Sequence, residues 1–149
     1  MTPKEQEHIK QKGYKEALRY IANAKDDLKL ARRNGKRFKD TKYVSSASGI
    51  AYRGVLKALD TWLQLKGVEM PEDFDRSKDK NKGKNRTIDF YRTHLAKMDR
   101  KLLEDLNLVY WSLHLLGYYD CCEFTGTIDE GFEVVDNILK RIEPTGAAQ

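Results

Sequence analysis

The stretch LLEDLNLVYWSLHLLG, residues 102–117, carries the clearest periodicity in the chain. Leu102, Leu106, Val109, Leu113 and Leu116 recur in a 4-3-4-3 rhythm, the spacing of one helix face, and Gly117 closes the run. Asp99 stands where an N-cap is needed, so the spacing predicts a central helix.

Neighbouring segments read the same way. Thr87 can cap a short helix carrying Ile88, Tyr91, Leu95 and Met98, with Asp89 favourably placed for its dipole. Thr127-Ile-Asp-Glu130 matches a capping box, followed by Ile128, Phe132, Val135, Leu139 and Ile142 before Pro144. Towards the N-terminus, Tyr14, Ala17, Leu18, Ile21, Ala24, Leu28 and Ala31 define a helix expected to begin near Thr2-Pro3 and to stop by Asn34-Gly35, a left-handed C-terminal signal, with Gly13 as a weak spot. Asp40 or Thr41 can cap another, whose apolar positions run from Tyr43 through Ala51, Val55 and Trp62 to Leu65, before Lys66-Gly67. Its small residues at 45–49 are poor helix formers that let a neighbouring backbone approach closely. No strand pattern competes. The expectation is an all-α antiparallel four-helix bundle with an additional short helix, one domain over residues 1–149. Residues 68–86 hold Pro71, Gly83, alternating charge and few apolar groups, and read as a flexible loop.

The 149 residues are 40% hydrophobic and 34% charged, enough apolar content for a core without staples. No apolar run approaches the roughly 18 to 20 residues of a membrane span, and MTPKEQEHIKQK lacks the apolar centre of a signal peptide. Cys121 and Cys122 are adjacent, badly placed to bridge each other, and read as reduced thiols. A cytoplasmic protein with no membrane association is expected.

The net charge of +5 is unevenly spread. Residues 1–66 carry sixteen basic and seven acidic groups, whereas residues 87–149 carry six basic and eleven acidic ones. Such a chain can steer polyanions, or its two halves, or two subunits, can attract each other. The corner formed by Arg32, Arg33, Lys36, Arg37 and Lys39 is the candidate nucleic-acid contact, and residues 76–86 form a second basic cluster. His8, His94 and His114 lie far apart and the cysteines lack a two-residue spacer, so no metal site is expected. No glycine-rich phosphate loop or nucleophile motif is present, and no cofactor is expected. Tyr110, Trp111, Tyr118, Tyr119 and Phe124 could stack bases, but their helical spacing assigns them first to the core or an interface.

Asn107, Tyr110 and His114 stand at i, i+3 and i+7, a polar seam along the central helix. NLVYWSLHLLGYYD, with YKEALRYIANAKDDLKLA and YVSSASGIAYRGVLKALDTWL, resembles the HEPN superfamily of prokaryotic helical bundles as a pattern over most of the chain. The first helix is also similar to the four-helix proteins encoded in ribosomal RNA intervening sequences. The HEPN resemblance implies a self-associating bundle that meets RNA. RNA-cleaving members use an Arg followed after four to six residues by a His, from both chains of a dimer. His114 matches the histidine, whereas Asn107 stands where that motif requires Arg. An amide supplies no permanent cation for the phosphate being cleaved. The expectation is therefore a non-enzymatic, homodimeric HEPN-like interaction module that binds nucleic acid or an acidic protein. The alternative is a divergent RNase or toxin-like protein using His114 with Asn107.

Overall fold

The computed structural model describes residues 1–71 and 87–144. From residue 72 onward, the loop expected at 68–86 lies outside the described residues, as does the basic run 76–86.

Thr2 opens the chain's first helix, its hydroxyl accepting from the Glu5 amide with Pro3 in the first turn. That helix is continuous through α1 (Pro3–Ile9), a π-helical turn π1 (Lys10–Tyr14) and α2 (Lys15–Lys29). The weak spot at Gly13 is where a Cβ would collide with the Thr61 side chain, so glycine admits the neighbouring helix there. Next comes α3 (Thr41–Leu65), capped by the Asp40 carboxylate on the Lys42 amide and ended at Gly67, with φ +86°. Short α4 (Ile88–Met98) leads into α5 (Arg100–Val109), which continues as a second π segment, π2 (Tyr110–Tyr119). Last is α6 (Thr125–Arg141).

Contacts across the bundle fix its topology. Gly13 faces Thr61 and Gly54 faces Ile21, so the first helix and α3 are antiparallel. Gly49 meets Tyr118 and Tyr52 stacks on His114, which sets α3 against π2. Gly117 meets Ile128 while Asp99 binds Arg141, pairing α5 and π2 with α6. Lys25 binds Asp136 and Arg33 binds Asp129, closing α6 onto the first helix. This is the expected antiparallel four-helix bundle, with α4 as the additional short helix. Leu59, Leu63, Leu95, Leu102, Leu106 and Ile138 are among its fully buried side chains. No helix among the described residues is long and apolar enough to cross a membrane.

Three local expectations are corrected. The first helix stops at Lys29, so Asn34-Gly35 is not its C-terminal signal. Arg33–Asn34 (β1) pairs antiparallel with Arg37–Phe38 (β2), so two very short strands exist where none was expected. Gly35, at φ +65°, serves the two-residue hairpin turn, a role glycine fills as readily as a helix end. Second, Thr127 is not an N-cap: α6 begins two residues earlier, with extended Phe124 at the cap position and no side-chain cap. There the Thr125 amide donates to the Lys36 carbonyl at 3.0 Å, so the hairpin satisfies one of the unpaired donors at the helix end. Third, the stripe of the central helix holds for Leu102, Leu106, Val109 and Leu113 but fails at Leu116, which is half-buried while Gly117 is buried. The wider i→i+5 winding of π2 rotates the late residues away from the phase of an α-helix.

Asp99 performs as a cap, accepting from the Leu102 amide at 3.1 Å. The Arg141 guanidinium, bonded to both its oxygens, holds its carboxyl below the usual carboxylate range. That contribution is present above about pH 4 and is lost as pH falls through the lowered value.

Candidate functional site

π2 brings together two residues of the polar seam, Tyr110 and His114, and sets them against Tyr52 of α3. His114 stacks on Tyr52 of α3, centroids 4.4 Å apart at 26°, and lies 5.1 Å from Tyr110. Beyond it Tyr118 is parallel at 6.1 Å and Tyr119 meets it edge-on at 5.2 Å. Tyr118 fits because position 49 is glycine, whose Cβ would stand 2.8 Å from the ring, and because the Ser45 hydroxyl donates to the Tyr118 carbonyl at 2.7 Å. This is the use made of the small residues at 45–49. An open cleft of about 460 Å³ runs between α3 and π2, lined by Ser46, Arg53, His114, Tyr118 and Tyr119 among others.

Asn107 is exposed and belongs to a different contact. Its side-chain oxygen accepts from Arg92 Nε at 2.7 Å, and the same guanidinium lies 5.0 Å above the Tyr110 ring. Arg92 Nη1 also approaches Asp89 at 3.7 Å. A cation thus stands one ring away from His114, supplied by α4 rather than by the position that sequence spacing pointed to. Nothing in the linear sequence marks Arg92, fifteen residues before Asn107; only the folding of α4 onto α5 delivers it.

Burial shapes the titration of the site. It raises the Tyr52 phenol strongly, with Tyr110 adding to the rise and Arg92 opposing it, so Tyr52 stays protonated at neutral pH. Burial lowers the His114 imidazole below its ordinary 6.5, so the ring is neutral at pH 7. No hydrogen bond to either ring nitrogen is found among the described residues. The groups facing it are Tyr52 and Arg53 of α3, Tyr110, Tyr118 and Tyr119 of its own segment, and Arg92 of α4 beyond Tyr110. The sign of the linkage follows. The unfolded chain takes up the proton before the folded one, so this contribution is whole above pH 6.5 and is lost as pH falls through the lowered value. Replacing His114 with Gln is expected to flatten the acid limb of stability below pH 6.5, measured by urea unfolding at stepped pH; an unchanged limb would contradict the assignment.

The aromatic cluster is not core. Trp111, Tyr118 and Tyr119 are 54%, 42% and 64% exposed, Phe124 is exposed, and Tyr110 is half-buried. Trp111 stands two residues from both Val109 and Leu113, on the side of the helix opposite the buried stripe, Tyr118 and Tyr119 end π2, and Phe124 precedes α6.

The basic corner sits on the hairpin. Arg33 is bound through two hydrogen bonds to Asp129 at 2.7 and 2.8 Å and lies over Phe38. Arg37 approaches Glu123 at 3.9 Å and lies over exposed Phe124. Arg32, Lys36 and Lys39 are exposed and have no ion pair among the described residues. The uneven charge of the two halves is therefore partly neutralised inside the fold, where Lys25–Asp136 and Arg33–Asp129 join the basic first helix and hairpin to acidic α6. Among the described residues no cluster of three or more His, Cys, Asp or Glu is placed to hold a metal ion. Both cysteines are free thiols.

A family model described as a domain of unknown function, DUF5618, matches residues 12–80 and 75–144. The chain belongs to the DUF5618 family. Both sides of the His114 cleft fall within the matched residues. A solved structure, of a protein of unknown function from Dyadobacter fermentans, is 30% identical and superposes with a TM-score of 0.73; the match covers 89% of this DUF5618 chain and 95% of that one. Among curated proteins none matches.

Proposed function

We propose that this DUF5618 protein is a non-enzymatic, HEPN-like bundle that works in the cytoplasm as a homodimeric interaction module, turning its basic corner to a polyanionic partner. The observation that carries the reading is the exposure of three large aromatic side chains along π2, Trp111, Tyr118 and Tyr119, the last two in contact with each other. Large apolar groups gathered on one surface of a folded domain mark an interaction site, and a twofold axis lets one such face satisfy itself. What supports a non-enzymatic role is the state of His114. An imidazole that transfers protons is commonly oriented by a hydrogen bond on one nitrogen, whereas His114 is held by ring stacking among the described residues.

A second reading, a divergent RNase, is favoured by one observation. The guanidinium missing at Asn107 is present as Arg92, bonded to Asn107 and stacked on Tyr110 beside His114. Incubating the purified protein with a single-stranded RNA in chelator separates the two. The module leaves the RNA intact. Metal-independent cleavage lost on both His114→Ala and Arg92→Ala would replace it with the RNase.

A further inference from the structure

At the end of α2 the chain reverses through Arg32, whose backbone is left-handed at φ +52°. Glycine takes this conformation without steric cost just past a helix end, and a side chain there is strained. The reversal is nonetheless fixed: the Lys39 amide donates to the Arg32 carbonyl at 2.9 Å and the Asp40 amide to the Ala31 carbonyl at 3.0 Å. Strain of this kind concentrates where a side chain is used. Arg32 lines a cleft of about 460 Å³ with Lys25, Lys29 and Arg33, and with the apolar side chains of Leu28 and Phe132.

The charges around this cleft distinguish between ligands. Arg33 and Lys25 are engaged by Asp129 and Asp136 of α6. Lys29 contacts Asp26 only at 3.5 Å, both side chains more than three-quarters exposed, and Arg32 has no ion pair among the described residues. Two cations are thus available, next to apolar surface. The α6 side of the cleft carries Asp129 and Asp136, the partners of Arg33 and Lys25, so a long phosphate backbone laid across it would meet both carboxylates. A short carboxylate-bearing segment would meet Lys29 and Arg32 alone.

We propose that this cleft takes an acidic peptide segment with one apolar anchor: the anchor packs on Leu28 and Phe132, and flanking carboxylates pair with Arg32 and Lys29. The inference rests on the reading of the chain as an interaction module and names the chemistry of its partner. A guanidinium binds a carboxylate through two parallel hydrogen bonds, and the buried anchor adds an apolar contribution that a bare polyanion lacks.

The test uses the full chain and a fluorescein-labelled nonapeptide with phenylalanine at its centre, one glutamate on each side of it and serine or glycine elsewhere, read by anisotropy. Binding is expected to weaken about tenfold when the central phenylalanine becomes glycine, and about tenfold on Arg32→Gly. Because glycine relieves the strain at this position, Arg32→Gly should hold or raise the melting temperature, which separates lost binding from lost folding. Equal binding of the two peptides, unchanged binding on Arg32→Gly, or tighter Arg32-dependent binding of an oligouridylate would overturn the proposal. Absence of peptide binding by a protein that still dimerises defeats this inference alone; a monomeric protein defeats the underlying reading.

Discussion

Gly117→Ala is expected to destabilise the fold by about 2 kcal/mol, a loss of about 4–8 °C in melting temperature for a chain of this size. An alanine in place of a helical glycine ordinarily stabilises, by about 0.5–1 kcal/mol, so the sign itself is informative. Here the added Cβ would stand 2.6 Å from the Ser48 Cβ, closer still to its hydroxyl, and 3.3 Å from Ile128. Ser48 is fully buried, and its short side chain has no room to swing aside. The two helices must separate, while on the other side of π2 the close contact of Gly131 with Ser112 and Leu113 leaves it no room to shift towards α6. Removing the Ser48 side chain should relieve the clash: Ser48→Gly with Gly117→Ala is expected to recover most of the loss, a coupling of about 1–2 kcal/mol in a double-mutant cycle. Urea unfolding of the four proteins measures it. A stabilising Gly117→Ala, or additive effects, would show that α3 and π2 are not in contact at this point.

That contact also shows what a sequence yields and what it withholds. The small residues at 45–49 announce a close approach, and the 4-3-4 stripe from Leu102 to Leu113 announces the buried face; both are local patterns, and both hold. Asp40 and Asp99 cap the helices that they precede, because a cap depends on the few residues around it. Asn34-Gly35 is ambiguous in principle, since the left-handed conformation it favours suits a helix end and a hairpin turn alike, and the tertiary contact of β2 with residues 123–124 selects the hairpin. The π winding of residues 110–119 was not legible at all. Apolar periodicity assumes α-helical phase, and once the winding changes, Leu116 falls on another face. His114 and Asn107 could be singled out by spacing, but Arg92 could not, since its place beside them depends on how α4 folds back on α5.

Of the expectations that follow from the proposed homodimer, the one at Trp111 on π2 has the largest effect. Trp111, with Tyr119 two turns further along, projects from a helix whose inner side already packs on α3 and α6. In a twofold interface each substitution acts twice, and an aromatic anchor exchanged for a carboxylate costs about 2 kcal/mol or more per copy. Trp111→Glu should therefore weaken a homodimer about a thousandfold or more while leaving the fold intact, because the side chain is mostly exposed in the single chain. Arg92→Ala, which lies over Tyr110 rather than on the outer face, should leave the association largely unchanged. The deciding measurement is sedimentation equilibrium of the wild-type protein and Trp111→Glu at high micromolar concentration and neutral pH, with circular dichroism to verify that both are folded. A wild-type dimer and a folded Trp111→Glu monomer are the expected result; a wild-type monomer, or a dimer indifferent to Trp111→Glu, would contradict the role given to this face.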